Sequence, residues 1–494
     1  MKRFVQGDCR GQGTLLPELL DDYVTENSSA RVIDVFVDQL DLGKLGFEGV
    51  DPAATGRPAY HPATLLKIYI YGYLNRIQST RRLELETQRN VEMMWLISRL
   101  TPDFKTIANF RKDNGKAIRN VCRQFVALCR QLDLLSQAIV AIDGSKFKAV
   151  NSRDKNFTSA KMERRQQQIE DSINRYLAAL DTADRAEPAV ALAEKGRLNE
   201  KIAALKEQMQ RLKDLEVQMN DAPDHQLSLT DPDARSMKTR GSGIVGYNVQ
   251  TAVDAQHHLI VAHEVTNVGS DRSQLSKMAI QAREAMGTKD LTALADRGYF
   301  KSEEILACHN VGITPLVPKP LTSNNKADGL FDRMAFVYQP DTDEYRCPAG
   351  QTLIKRYTSI EDGKTQHTYW HSGCQSCSMK AKCTTSTQRR VRRWEHEAVL
   401  EAMQARLDKA PETMLVRKQT VEHPYGTIKA WMGATHFQMR TLANVSTEMS
   451  LHVLAYNIKR VMKILGIGPL LEAMRAALKA LSVGNLTCHT AHTI

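Results

Sequence analysis

Long uninterrupted apolar runs are missing from this 494-residue chain, and with them any reading as a helical membrane protein. The most apolar late stretch, Leu451 to Leu481, is broken by Lys459, Arg460, Lys463, Glu472, Arg475 and Lys479, so it reads as packed amphipathic helix. The first residues, Met1-Lys2-Arg3-Phe4, lack an apolar core and a small-residue cleavage pattern, which leaves a cytoplasmic protein as the expectation. Nine cysteines at irregular spacing in so long a chain do not make a secreted disulfide framework. No G-x-x-x-x-G-K-[ST] loop and no dinucleotide fingerprint follows a strand, so neither ATP-driven nor redox chemistry is indicated. Excess acidity is absent too. Lys and Arg total 67 against 56 Asp and Glu, a net charge of +11 that suits attraction to a polyanion.

What is present falls into segments of different character. Residues 1–135 carry helical spacing, as in Ile107-Ala108-Phe110 and Ile118-Val121-Phe125-Leu128, interleaved with Arg76, Arg81, Arg82, Arg111, Lys112, Arg119 and Arg123. A helical bundle with a basic face would dock on DNA; the same pattern also fits a plain bundle with solvated charges. At Ala138 the pattern turns to short β-branched runs. Ala138–Ile142 ends in Asp143-Gly144-Ser145, and Leu291–Ala295 ends in Asp296-Arg297-Gly298. A strand pair over Gly246–Asp254 and Leu259–Val265, a helix over Ser273–Met286, a further helix over Ser302–His309 and an extended Thr314–Pro318 complete an α/β pattern with a mixed sheet.

Two stretches interrupt it. Residues 161–222 hold Ile169, Ile173, Leu177 and Leu180, a break around Glu187-Pro188, then Leu198, Ile202, Leu205, Met209 and Leu212. These spacings predict an antiparallel helical hairpin, and its opposite charges nearly cancel, so it reads as an arm rather than a DNA surface. Residues 322–395 are polar and loop-rich. Within them Cys347, Cys374, Cys377 and Cys383 supply four thiolates, enough for a tetrahedral structural Zn²⁺ that would organise a segment with little else to form a core; reduced, unligated cysteines are the alternative. Arg389, Arg390, Arg392 and Arg393 beside Trp394 form the densest basic run, suited to phosphate contact and base stacking. Cys9, Cys122, Cys129, Cys308 and Cys488 carry no spacing signal.

Asp143 and Asp296 each close a short buried strand. If those strands are neighbours, both carboxylates project at one sheet edge, where hard divalent ions that prefer oxygen ligands can be held. Either aspartate could equally be a turn former or helix cap. Asp254 reads as the turn residue between two strands, and His423 as a packing or hydrogen-bonding group.

The series Ala-Ile-Asp143-Gly-Ser-Lys, Gly246-Tyr-Asn-Val-Gln-Thr-Ala-Val-Asp254, Ala-Asp296-Arg-Gly-Tyr and Val-Glu422-His-Pro-Tyr-Gly-Thr-Ile-Lys429 resembles bacterial insertion-sequence transposases of the DDE class over roughly residues 60–463. The resemblance implies a ribonuclease-H-like core over 136–160, 223–321 and 396–465, with 466–494 as a C-terminal helix and tail. It implies Asp143, Asp296 and Glu422 as ligands of Mg²⁺ (or Mn²⁺), and Lys429 on DNA phosphate. Lys418 stands where related proteins carry Arg, and Leu415 where they carry Tyr, so Arg417 and Lys418 share that expectation with Arg297. The implied activity is cleavage at transposon terminal inverted repeats followed by joining to target DNA, by a homodimer on DNA near the bacterial nucleoid. A metal-dependent nuclease without strand transfer, or an inactive DNA-binding descendant, are the alternatives.

Overall fold

The computed structural model describes residues 19–52, 54–55, 58–135, 137–151, 155–183, 188–222, 224–239, 243–320, 325 and 327–476. Glu187 of the expected hairpin break, the boundary at 322, Cys9, Cys488 and the tail beyond 476 lie outside them. The chain divides into two compact units, one from Met1–Gln137, Gly144–Gly269 and Thr420–Ile494, the other from Ala138–Asp143 and Ser270–Gln419. No helix among the described residues is long and apolar enough to cross a membrane.

The first unit opens with helices α1 (Ser29–Asp38), α2 (Leu42–Leu45), α3 (Pro62–Leu74), α4 (Thr80–Arg89), α5 (Val91–Leu96), α6 (Phe104–Asp113) and α7 (Gly115–Gln131). Their starts follow local chemistry. Ser28 caps α1 by accepting from Ala30 N, Pro62 occupies the first turn of α3, and Asp103 caps α6 by accepting from Lys105 and Thr106 N. Every residue from Leu65 to Leu74 is buried, Lys67 by pairing with Asp34 and Asp38, so α3 is central. Gly72 is required there: a Cβ would meet Leu83 Cδ2 at 2.5 Å and Ile77 O at 2.6 Å.

Strand β1 spans Ile139–Lys148. It therefore runs on through Asp143-Gly144-Ser145, which the sequence reading took as the turn at its end. The reason is a change of neighbour. Residues 144–148 lie in the first unit, where Ala149 N donates to Val245 O and Gly246 approaches Phe147 O so closely that no Cβ fits. Next come β2 (Asn156–Thr158), α8 (Ser159–Ala183), α9 (Pro188–Asp221) and β3 (Gln226–Ser228). Helices α8 and α9 pack together on Met162, Ile169, Leu212 and Met219, and β2 pairs antiparallel with β3 at their root. Strands β4 (Arg235–Met237), β5 (Ile244–Asp254) and β6 (Ile260–Thr266) follow, with β5 antiparallel to both others.

The second unit adds α10 (Leu275–Met286), β7 (Leu291–Leu294), α11 (Ser302–Asn310) and β8 (Ile313–Leu316). Its part of β1 pairs parallel with β7, and β7 parallel with β8. The stretch read as loop-rich folds instead as an antiparallel sheet of β9 (Val337–Gln339), β10 (Glu344–Arg346), β11 (Thr352–Glu361), β12 (Lys364–Trp370) and β13 (Val391–Trp394), in the order β13-β12-β11-β10-β9. Phe336, Tyr345, Leu353, Tyr369 and Val391 give it a core of its own. Helix α12 (Glu397–Lys409) buries Leu400, Met403 and Leu407 at helical spacing. Helix α13 (Thr413–Gly426) passes from the second unit to the first after Gln419. In the first unit a π-turn over Thr427–Trp431 leads to α14 (Leu442–Leu465), which packs on α3, α7 and β6. Asn457 of α14 accepts from Ile260 N and donates to Ile260 O, tying the helix to β6.

Candidate active site

Parallel pairing in the second unit sets Ala141 of β1 opposite Leu294 of β7. Asp143 and Asp296 each follow those partners by two positions, so the register carries both to the same level on adjacent strands. One cation reaches both. Arg417 Nη2 lies 2.8 Å from Asp143 Oδ1 and 3.6 Å from Asp296 Oδ2, with side-chain exposures of 13%, 25% and 49% for the three residues. Charge rather than aligned hydrogen bonds holds it. Among the described residues neither Nε nor Nη2 of Arg417 has a hydrogen-bond partner, although both are buried.

Asp296 serves a second purpose. Its Oδ1 accepts from Gly298 N at 2.7 Å and caps the short turn Arg297–Tyr299. The turn-forming reading of this residue is met by Oδ1, and Oδ2 faces Arg417. Arg297 itself is exposed on that turn, and Lys418 is exposed on α13.

Glu422 and Lys429 belong to the first unit. Glu422 is exposed on α13, while the neighbouring Thr420, Val421, Pro424 and Tyr425 are buried. His423 Nδ1 lies 2.9 Å from Tyr456 OH, which meets the hydrogen-bonding reading of that residue. Lys429 Nζ donates to Ser145 Oγ at 2.6 Å and Lys146 O at 2.8 Å, and sits 4.4 Å from the Phe147 ring centroid. It thereby holds β1 just beyond Asp143, and a DNA phosphate would compete with those acceptors. Asp254 behaves as a turn residue, accepting from His257 N at 2.6 Å. Burial pushes its carboxyl up to about 6, against backbone donors and His258 that pull the other way.

Cys347, Cys374, Cys377 and Cys383 line one cavity of about 370 Å³ in the second unit, together with His371 and Met379. Burial, and then the other three cysteines, push the Cys383 thiol up, although Arg389 opposes them. Among the described residues no group of three or more His, Cys, Asp or Glu is gathered to hold a metal ion. Among the described residues the four sulfurs are not drawn into coordinating geometry. The donor chemistry of each expected set still fits its ion class. The paired aspartates, whose two charges one guanidinium offsets only by half, suit a hard cation, and thiols sharing one cavity suit zinc.

The arginine run is divided by its surroundings. Arg393 is buried, bound to Glu401 by Nη1 at 2.5 Å and Nη2 at 2.9 Å, with its guanidinium carbon 3.6 Å from the Tyr338 ring centroid. It forms a structural ion pair where the sequence pattern predicts a phosphate contact: alternation along β13 turns it inward while Arg392 faces out. Arg392 pairs with Glu361. Arg389 lies over Phe336 and reaches Cys383 O and Phe331 O, and Arg390 lies over Trp370. Sequence reasoning left Arg417 undecided between neighbours; its position in the helical turn before Glu422 was the available signal.

Two family models match this chain: a transposase domain (DUF772) over residues 18–113 and a transposase DDE domain over residues 346–462. Both agree with the resemblance drawn from the motifs. The second segment contains Glu422 and Lys429, whereas Asp143 and Asp296 lie outside both. No curated protein matches. A solved piggyBac transposase synaptic complex with hairpin DNA is similar at 9% identity and a TM-score of 0.27, over 95% of this chain and 81% of that one.

Proposed function

We propose that this chain, which resembles DDE transposases in its motifs and in two matched domains, binds the ends of a DNA element, cuts them and joins them to target DNA. The observation that carries the reading is the pair Asp143 and Asp296, level on adjacent parallel strands and facing one guanidinium. The local strand orders support a ribonuclease-H-like core: β6 and the end of β1 both neighbour β5 in the first unit, and β1, β7 and β8 run parallel in the second.

Asp143 and Asp296, with Glu422, would hold divalent Mg²⁺ or Mn²⁺, which when bound supply activation of the attacking oxygen and charge neutralisation at the phosphate. The chain's own groups have separate tasks. Arg417 offsets one of the two aspartate charges and is near enough to meet a phosphate oxygen there. Lys429 fixes β1 beyond Asp143. In the first step water attacks the phosphorus at an element end, and the P–O3′ bond breaks to free a 3′-hydroxyl. In the second that hydroxyl attacks a target phosphodiester in line and displaces the target's 3′-oxygen. The exposed Arg297, Lys418, Arg390 and Arg392 supply phosphate contacts, and the four-cysteine cavity takes a structural Zn²⁺. A homodimer would bring two ends together; Leu177 and Val217, 44% and 62% exposed on the helical arm, are candidates for its contact.

Incubating the protein with labelled element ends, plasmid target and Mg²⁺ tests the reading. Joined product is expected, with Asp143→Asn and Asp296→Asn each lowering cleavage at least about 10³-fold. Cleavage without joining favours a simple nuclease; binding without cleavage favours an inactive descendant. Metal analysis of purified protein should find zinc, lost in Cys374→Ser/Cys377→Ser.

A further inference from the structure

Outside the aspartate pair, the first unit gathers two cations on one exposed indole. Trp431, 46% exposed on the π-turn, has the Arg76 guanidinium carbon 4.2 Å and Lys459 Nζ 2.6 Å from its ring centroid. Three separate elements deliver these groups: the end of α3, the π-turn and α14. Gln78 Nε2 donates to Met432 O at 3.2 Å and locks the segment after α3 to the π-turn.

Arg76 occupies an uncommon backbone position. Ile77 N donates to Gly72 O at 2.7 Å, closing the end of α3 in the helix-terminating motif whose left-handed residue is usually glycine. Here that residue is Arg76, at φ 62°. An arginine held where a side chain is disfavoured implies that the side chain has a use. Among the described residues neither Arg76 nor Lys459 has a carboxylate partner. Burial, and then Arg76, hold the Lys459 ammonium below its usual range, so the two positive charges feel each other. Two like charges fixed by one aromatic ring, without an acid to balance them, make a receptor for an anion with several oxygens.

We infer that Arg76, Lys459 and Trp431 form a clamp for a backbone phosphate of duplex DNA, with Trp431 as the positioning residue. The inference rests on the DNA-binding reading above; it gives Arg76, so far only one member of a general basic face, a defined partnership with Lys459 and Trp431. No base is recognised by this arrangement, so its contribution is the same for any sequence.

The test titrates full-length protein with a fluorescently labelled duplex of arbitrary sequence over a series of salt concentrations. Arg76→Asn/Lys459→Gln should weaken binding and reduce the slope of log Kobs against log salt by about 0.9 for each lost phosphate contact. Asparagine tolerates the left-handed backbone, and a thermal melt checks the fold. If the double variant melts early, Lys459→Gln alone decides, through the same slope. Trp431→Ala should reproduce part of the loss and Trp431→Phe should restore it. Wild-type affinity and slope in the cation variants, with wild type binding DNA, would overturn the clamp alone. If wild type binds no DNA at any salt, the clamp and the proposed function fall together.

Discussion

Two regions, the surroundings of α14 and the antiparallel sheet of the second unit, bury polar groups in different ways. In the first, α14 and its neighbours enclose single titratable groups: His452 stacks edge-on to Tyr73 at 4.6 Å, His263 Nε2 lies 2.8 Å from Ser450 Oγ, and Glu448 accepts from Gln438 and Met439 N. In the second, the antiparallel sheet holds groups in mutually satisfied sets. Asp343 accepts from Tyr338 OH at 2.8 Å and Tyr369 OH at 2.6 Å, and Arg393 is bound to Glu401. Burial alone would raise the Asp343 carboxyl, but those two hydroxyls hold it low. Isolated buried groups make a core sensitive to pH, whereas paired ones make it sensitive to loss of a partner.

The largest effect should appear on acidification. Burial, and then Arg111, depress His452 to about 3, and burial with Arg123 and Arg119 depresses His263 to about 4. Unfolded histidine takes up its proton near its ordinary value of 6.5, so stability present above that pH is lost as pH falls toward the folded value. His452→Asn should cost stability at pH 7.5 through lost packing yet remove on the order of 3 kcal/mol of acid sensitivity by pH 4. Urea unfolding across that range, followed by Trp95 and Trp431 in variants lacking the other two tryptophans, measures it. A variant-minus-wild-type difference that is flat with pH would show His452 to be protonated in the fold.

Asp254 gives an effect of the opposite sign. Its raised carboxyl makes wild type lose stability as pH rises from about 4 through about 6. Asp254→Asn keeps an acceptor for His257 N without the buried charge, so it should gain on the order of 3 kcal/mol at pH 7.5 and nothing at pH 4.

Smallest is the partner-loss effect. Arg393→Ala leaves Glu401, which is 48% exposed, and removes the cation over Tyr338, so a loss of about 2 kcal/mol is expected, below the cost of breaking a fully buried pair. Trp370 and Trp394 fluorescence should report the loss in the second unit, with the first unit's transition unmoved.

The strands carrying Asp143 and Asp296 were legible because β-branched runs mark buried strands, and the arm because its apolar residues recur every three or four positions. Two features were not. Gly144-Ser145 reads as a turn from local chemistry, and only β5 lying against residues 144–148 keeps β1 extended through it. The second sheet escaped notice because several of its strands are only three or four residues long and its core is built on Tyr345 and Tyr369 rather than on a valine-rich run. Nor can a run of arginines announce which member is enclosed, since Arg393 is claimed by Glu401 on a later helix.

The pairing of β2 with β3 at the root of the helical arm has a further consequence. Phe157 opposite Leu227 closes the chain on itself, so the residues between them form an excursion whose entry and exit are already stapled. Loop-closure cost grows only slowly with length, so helices α8 and α9 could be shortened or exchanged for a tight turn with little change in the fold of what they emerge from. Arm length is thus a variable that engineering or drift can adjust independently of the strands that carry the aspartate pair.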